Sequence, residues 1–228
     1  MLSPLSSSLR AVVFDFDGTL AETKIDFAEM RRRTVEHICA WGLWEEGLEE
    51  GRYVLEMIEH TAGKLAGERR ERYSAEAAQI LEDVEMLTCP LAHPFPGTAE
   101  ALDRLRGCGL RVGIITRNCR RAVGSVLDRH HLHHEVLLTR DDVARVKPDP
   151  AHLLGALAVL GVAPGEALMV GDHPTDIQCG KAAGAFTCGV LTDRTSRQEL
   201  LGAGADLVHA DVAELARALC PGAAIHEE

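Results

Sequence analysis

Ala11-Val12-Val13-Phe14 is a short apolar run that ends at acidic residues and a glycine, the pattern of a strand buried on both faces of a parallel sheet. Leu110–Ile115, Ala167–Val170 and Phe186–Leu191 repeat it. Glu135–Leu138 is a weaker version, and Asp206-Leu207-Val208 fits an edge strand. Between these runs lie stretches of helical character at Thr98–Arg106, Arg120–Arg129, Ala151–Leu160, Asp176–Ala183 and Val212–Leu219. Strands alternating with helices of about ten residues predict parallel βαβ units. The expected fold class is therefore α/β, with a Rossmann-like, doubly wound parallel sheet as its core.

The stretch from Ala21 to about His93 breaks that rhythm. Phe27, Met30, Thr34, Ile38 and Trp41 recur near a helical period, as do Leu48, Leu55, Ile58, Ala62 and Leu65, and then Ala77, Ile80, Leu81, Val84 and Leu87. An all-helical insert placed directly after the first strand is predicted. Pro90, Pro94, Pro96 and Gly97 mark the return to the α/β rhythm. The expected domains are a core of residues 1–20 with 94–228 and a helical cap of residues 21–93.

Composition narrows the field without changing it. The 228 residues are 46% hydrophobic and 26% charged, enough to bury a sizeable core, and the formal net charge is −11. An acidic chain whose basic clusters, Arg31-Arg32-Arg33 and Arg69-Arg70 with Arg72, sit among glutamates does not suit nucleic acid. The apolar run Leu153–Ala163 is too short to cross a bilayer and fits a buried helix. Seven cysteines, an odd number without a Cys-x-x-Cys pair, read as reduced thiols. The first eight residues read as a flexible leader, and the expected location is cytoplasmic.

In an open parallel sheet, ligands bind beyond the carboxyl ends of the strands, and four of those ends carry polar residues that the hydrophobic pattern did not require. Asp15 and Asp17 leave the first strand one residue apart, close enough to share a divalent ion. Asp15 could attack phosphorus to give an acyl phosphate, and Asp17 could protonate the departing oxygen and later take a proton from water. Gly18 would allow a tight turn and aim an N–H at phosphate; the same Asp-Gly pair also suits an ordinary turn. Thr116-Arg117-Asn118 after the second strand offers a hydroxyl and N–H groups at a helix start, an anion site or a helix cap. Lys147, ahead of Pro148-Asp149-Pro150, could neutralise carboxylate and phosphate, or lie on the surface beside a proline turn. Asp172 and Asp176 could add oxygen ligands for magnesium, or cap a helix.

Taken in this order, Asp15-Phe16-Asp17-Gly18-Thr19-Leu20, Ile114-Ile115-Thr116, Lys147-Pro148 and Gly171-Asp172 with Asp176 resemble the four motifs of the haloacid-dehalogenase superfamily. The resemblance is to its phosphoglycolate-phosphatase-like branch, with a helical cap after the first motif, and it covers nearly the whole chain. It implies a magnesium-dependent phosphatase acting on a small phosphorylated metabolite through an aspartyl-phosphate on Asp15, with Asp17 as general acid/base. It further implies phosphate contacts from Gly18, Thr116, Arg117, Asn118 and Lys147. Magnesium would be held by Asp15, the backbone carbonyl of Asp17, and Asp172, with Asp176 supporting those ligands. A monomer or homodimer is expected, with no nucleic-acid or membrane partner. A phosphosugar mutase of the same fold, or a non-catalytic relative that only binds a phosphometabolite, are the alternatives. His130-His131-Leu132-His133-His134 reads as an exposed turn rather than a metal site, and His173 as a polar loop residue.

Overall fold

The computed structural model describes residues 8–221; the N-terminal leader lies outside them except for Ser8. In chain order the elements are β1 (Ala11–Phe14), β2 (Ala21–Glu22), α1 (Phe27–Ala40), α2 (Val54–Ala62), α3 (Gly67–Thr88), β3 (His93–Pro94), α4 (Thr98–Gly107), β4 (Arg111–Ile115) and α5 (Arg120–Arg129). They continue with β5 (Val136–Leu138), α6 (Pro150–Leu160), β6 (Ala167–Gly171), α7 (Pro174–Ala183), β7 (Phe186–Val190), α8 (Arg197–Gly202), β8 (Leu207–His209) and α9 (Val212–Leu219).

Six strands form one parallel sheet in the order β5-β4-β1-β6-β7-β8. Every residue of β1 is fully buried, which explains why its sequence is a continuous apolar run without alternation. Ala11 and Val13 face a cluster that contains Leu153, Ala156, Leu157 and Leu160 of α6 and Cys179 of α7. α4 packs on β4 and against α9. The chain builds outward from β1 through β4 to β5, then returns to lay β6 on the other side of β1. The switch point of this Rossmann-like α/β fold therefore lies at the carboxyl ends of β1, β4 and β6, where a crevice forms.

The chain divides into two compact units, Met1–Thr23 with Ala92–Glu228 and Lys24–Leu91. The first unit includes a short antiparallel ladder that the sequence did not suggest, β2 on β3, pairing Ala21 with Pro94 and Glu22 with His93. Two residues per strand are too few for a period to register. Inside Lys24–Leu91, Tyr73 is buried with Ile38, Leu48, Met57 and Ala62, its ring stacked 4.6 Å from that of His37 and its hydroxyl bonded to Thr61. Leu48 and Leu65 fall outside α2, contrary to the helical period read through them. Glycines 42, 47 and 51 take positive φ and break the chain into turns before α2 begins. Among the described residues no helix is long and apolar enough to cross a membrane.

Candidate active site

Asp15 follows β1 directly, its N–H held by Val170 O at 2.8 Å. Because β1 is central, this carboxylate is buried. Lys147, in the loop between β5 and α6, reaches it from the side, with Nζ 2.5 Å from Asp15 Oδ1 and 2.7 Å from Asp176 Oδ1. The second contact is an ion pair with poor hydrogen-bond alignment. Asp149 caps α6, with Pro150 in the first turn, so the lysine sits on a stiff approach to that helix. Behind it, the fully buried His152 accepts the Lys147 N–H on Nδ1 at 3.3 Å, and its Nε2 lies 3.0 Å from Leu138 O. Those contacts fix a neutral ring with its proton on Nε2, and burial together with the Lys147 charge holds its pKa down at about 4.

Asp172 follows β6, and Asp176 occupies the third position of α7. Helix α7 starts two residues earlier than its apolar pattern suggests, because His173 is its N-cap and Pro174 takes the first helical position. Asp176 Oδ2 accepts the His173 N–H at 3.0 Å, closing a capping box. His173 therefore has a local structural task, with Nδ1 accepting the Thr175 N–H. Carboxylate oxygens of Asp15, Asp172 and Asp176 lie within 4.8 Å of one another, and all three residues are buried. Two glycines make the crowding feasible: a Cβ on Gly171 would lie 2.2 Å from Asp176 Oδ2, and one on Gly18, at φ +87°, 2.5 Å from Asp172 Oδ2.

Three buried carboxylates face one ammonium, an excess of two negative charges when all are ionised. Burial pushes Asp15 well above the usual carboxylate range; Lys147 opposes this, while Asp176, Asp172 and Asp17 add to it. Burial also raises Asp172, with Asp176 reinforcing, to about 6. Lys147 is pulled down by burial, but Asp15 and Asp176 outweigh that and leave it above its ordinary value, so it is a firm cation. Hard oxygen donors with excess negative charge fit a divalent cation.

Asp17 lies apart from this cluster. Its Oδ2 accepts the Thr116 hydroxyl and its Oδ1 the Asn118 amide, each at 2.9 Å. Thr116 Oγ1 also accepts the Asn118 N–H at 3.1 Å, so the cap and the carboxylate contact coexist on one hydroxyl. The Gly18 N–H donates to Ala21 O at 2.9 Å. What Gly18 contributes here is room beside Asp172 rather than the free N–H read from sequence. Arg117 stands between Thr116 and Asn118 in the turn that leaves β4, and its carbonyl is held by Arg140.

Several residues of this region carried no assignment in the sequence. Thr19 and Thr192 hydroxyls make long contacts to Asp172, at 3.4 and 3.5 Å. Thr19 stands inside the first motif, whereas Thr192, His152 and Arg140 meet the site only through folding. A cavity of about 390 Å³ opens beside Asp172, lined among others by Gly18, Thr19, Thr98, Thr192 and Arg194. The histidine-rich turn has its own contacts: His133 pairs with Asp103 at 3.0 Å, and His134 Nδ1 lies 3.0 Å from Leu132 O.

A doubly wound sheet with buried carboxylates, a lysine and a hydroxyl-bearing turn at its switch point defines an α/β enzyme with an acidic centre. The chain belongs to the haloacid dehalogenase-like hydrolases, whose family model matches residues 12–190. It is 33% identical over 190 residues to a haloacid dehalogenase-like hydrolase domain-containing protein of Arabidopsis thaliana, covering 83% of this chain and 73% of that one. It is 30% identical over 224 residues to a phosphoglycolate phosphatase of Pseudomonas putida, covering 94% and 80%. The crystal structure of a hydrolase from Pseudomonas syringae matches with a TM-score of 0.68 at 25% identity, over 95% of this chain and 100% of that one.

Proposed function

We propose that this hydrolase is a phosphatase that transfers the phosphoryl group of a small phosphomonoester to Asp15 and then to water, with magnesium bound. The observation that carries the reading is the separation of the carboxylates. Asp15 is buried among Asp172, Asp176 and Lys147, whereas Asp17 is held outside that cluster by two neutral donors. Likeness to the P. putida phosphoglycolate phosphatase supports the same reading.

Asp15, the Asp17 carbonyl and Asp172 are proposed to hold the ion, with Asp176 fixing Lys147 and the start of α7. Bound there, magnesium would neutralise charge on the phosphoryl oxygens. The Lys147 ammonium, already against Asp15, lessens repulsion between that carboxylate and an incoming dianion. Thr116, Asn118 and Arg117 form the turn proposed to receive the phosphoryl oxygens. Asp15 attacks phosphorus as the ester oxygen leaves, and Asp17 gives that oxygen a proton. Water then attacks the aspartyl-phosphate, Asp17 takes its proton, and phosphate departs with Asp15 restored. The cavity beside Asp172 gives a small leaving group room within the core unit. The helical insert Lys24–Leu91 is proposed as a cap that selects the leaving group, and the free thiols of the described residues suit a cytoplasmic setting.

The test is hydrolysis of 4-nitrophenyl phosphate by protein stripped with EDTA and then given single metals. Magnesium or manganese should restore turnover, and calcium, with its larger and looser shell, should inhibit. Turnover that is indifferent to EDTA, or restored by zinc alone, contradicts the assignment.

A further inference from the structure

Arg140 follows β5 and has no role in the chemistry above. Its side chain is only 7% exposed, with Asp141 a loose counter-ion at 3.7 Å. Burying a guanidinium is costly unless fixed acceptors replace its water. One such acceptor is the Arg117 carbonyl, 3.2 Å from Nη1. The Arg140 N–H also points at the Asn118 carbonyl, at 3.4 Å. One residue thus holds two successive carbonyls of the turn leaving β4, and that turn carries both donors on Asp17, Thr116 Oγ1 and Asn118 Nδ2.

The platform under Arg140 is itself well tied. Thr139 donates to Asp142 Oδ2 from its N–H at 2.8 Å and its hydroxyl at 2.6 Å. Arg120, at the start of α5, donates its N–H to Asp141 Oδ2 at 2.8 Å, its Nε to Asp142 Oδ1 at 3.0 Å and its Nη2 to Leu137 O at 2.9 Å. If the Arg117–Asn118 peptide rotated, the Asn118 side chain would turn away from Asp17. Arg140 opposes that rotation with a guanidinium bond to the Arg117 carbonyl and its own backbone N–H on the Asn118 carbonyl.

We propose that Arg140 is a positioning residue that keeps the turn, and through it the Asp17 carboxylate, where proton transfer to the leaving group occurs. The proposal rests on the reading of Asp17 as general acid. It has a consequence that a merely stabilising arginine lacks. A leaving group that departs readily without a proton, such as 2,4-dinitrophenolate, should be nearly indifferent to Arg140, whereas phenolate should depend on it strongly.

The experiment measures kcat and KM of the wild type, Asp17→Asn, Arg140→Met and Arg140→Ala on phenyl phosphate and 2,4-dinitrophenyl phosphate. The ratio of the two kcat/KM values excludes the breakdown of the intermediate common to both substrates and does not depend on the fraction of protein folded, so a destabilised variant remains informative. Arg140→Met should lower the phenyl-to-dinitrophenyl ratio about tenfold or more, in the same sense as Asp17→Asn, with KM little changed. Arg140→Ala should lower the ratio likewise, and added guanidinium should partly restore it. An unchanged ratio in Arg140→Met beside a lowered one in Asp17→Asn overturns the proposal and leaves the acid role standing. An unchanged ratio in Asp17→Asn overturns both. A rise in KM and in the inhibition constant of inorganic phosphate at constant ratio also overturns it, because Arg140 would then act as a charge that attracts the substrate.

Discussion

At Gly171 the backbone passes so close to Asp176 that no side chain fits. In Gly171→Ala the new methyl would meet Asp176 Oδ2 at 2.2 Å, so the carboxylate must leave Lys147 and the His173 N–H. Losing such a support should lower kcat/KM roughly 10- to 100-fold; a variant within twofold of wild type would show that Asp176 is not needed there. Charge at the same residues makes a second prediction. Asp172 titrates near 6, and Asp15 is raised by burial and by its acidic neighbours. A divalent ion requires both as carboxylates, so its binding near pH 6 should release protons. Its affinity should strengthen as pH rises through about 6. Calorimetry in buffers of different ionisation enthalpy checks this: proton release at pH 6 is expected, and no buffer dependence there would contradict it. Asp15, Thr116 and Asp172 were legible as positions because each directly follows an apolar run in a parallel sheet, and Lys147 because it precedes the proline turn into α6. Arg140, His152 and Thr192 were not, because the contacts of Arg140 with Arg117, of His152 with Leu138 and of Thr192 with Asp172 are made only by folding, and neither a period nor a turn pattern records them.

The approach to α6 sets a pH dependence of stability. His152 is buried and neutral, with a folded pKa near 4 against an ordinary 6.5. The unfolded chain therefore binds a proton on this ring before the folded one does. The stability it contributes is complete above about 6.5 and is lost as pH falls from there to 4, by on the order of 3 kcal/mol at most. Asp172 acts with the opposite sign. Its folded pKa lies near 6 against an ordinary 3.8, so its charged form costs stability above about 6 and the cost is relieved as pH falls. The two partly offset each other in wild type, and removing the histidine should separate them. Urea unfolding at pH 7.5 and 5 should show that His152→Gln loses less stability on acidification than wild type does; an equal or larger loss would contradict the neutral-histidine account. At this scale the main strands and helices were readable to within a residue or two, with α7 off by two because its apolar pattern begins after the N-cap His173 and Pro174. The β2–β3 ladder and the six-residue α8 were not, since each is shorter than the window that a hydrophobic period needs.

The whole chain joins a doubly wound α/β unit to a three-helix unit, Lys24–Leu91, inserted after the first motif. If the insert is the selecting cap, replacing it with a short linker should preserve slow hydrolysis of 4-nitrophenyl phosphate and erase discrimination among metabolite phosphates. Circular dichroism must first show that the shortened protein is folded. A folded capless protein that kept its substrate preference would move specificity to the loops around Thr116 and Asp172. The central claim, that Asp15 carries the phosphoryl group, has a direct test. Enzyme quenched during turnover with magnesium and substrate is reduced with tritiated borohydride, which attacks an acyl phosphate but not a free carboxylate, and the peptides are then sequenced. The account predicts tritium at residue 15, lost in Asp15→Asn and increased in Asp17→Asn if breakdown of the intermediate slows. Tritium at another residue, or full turnover by Asp15→Asn, would contradict it.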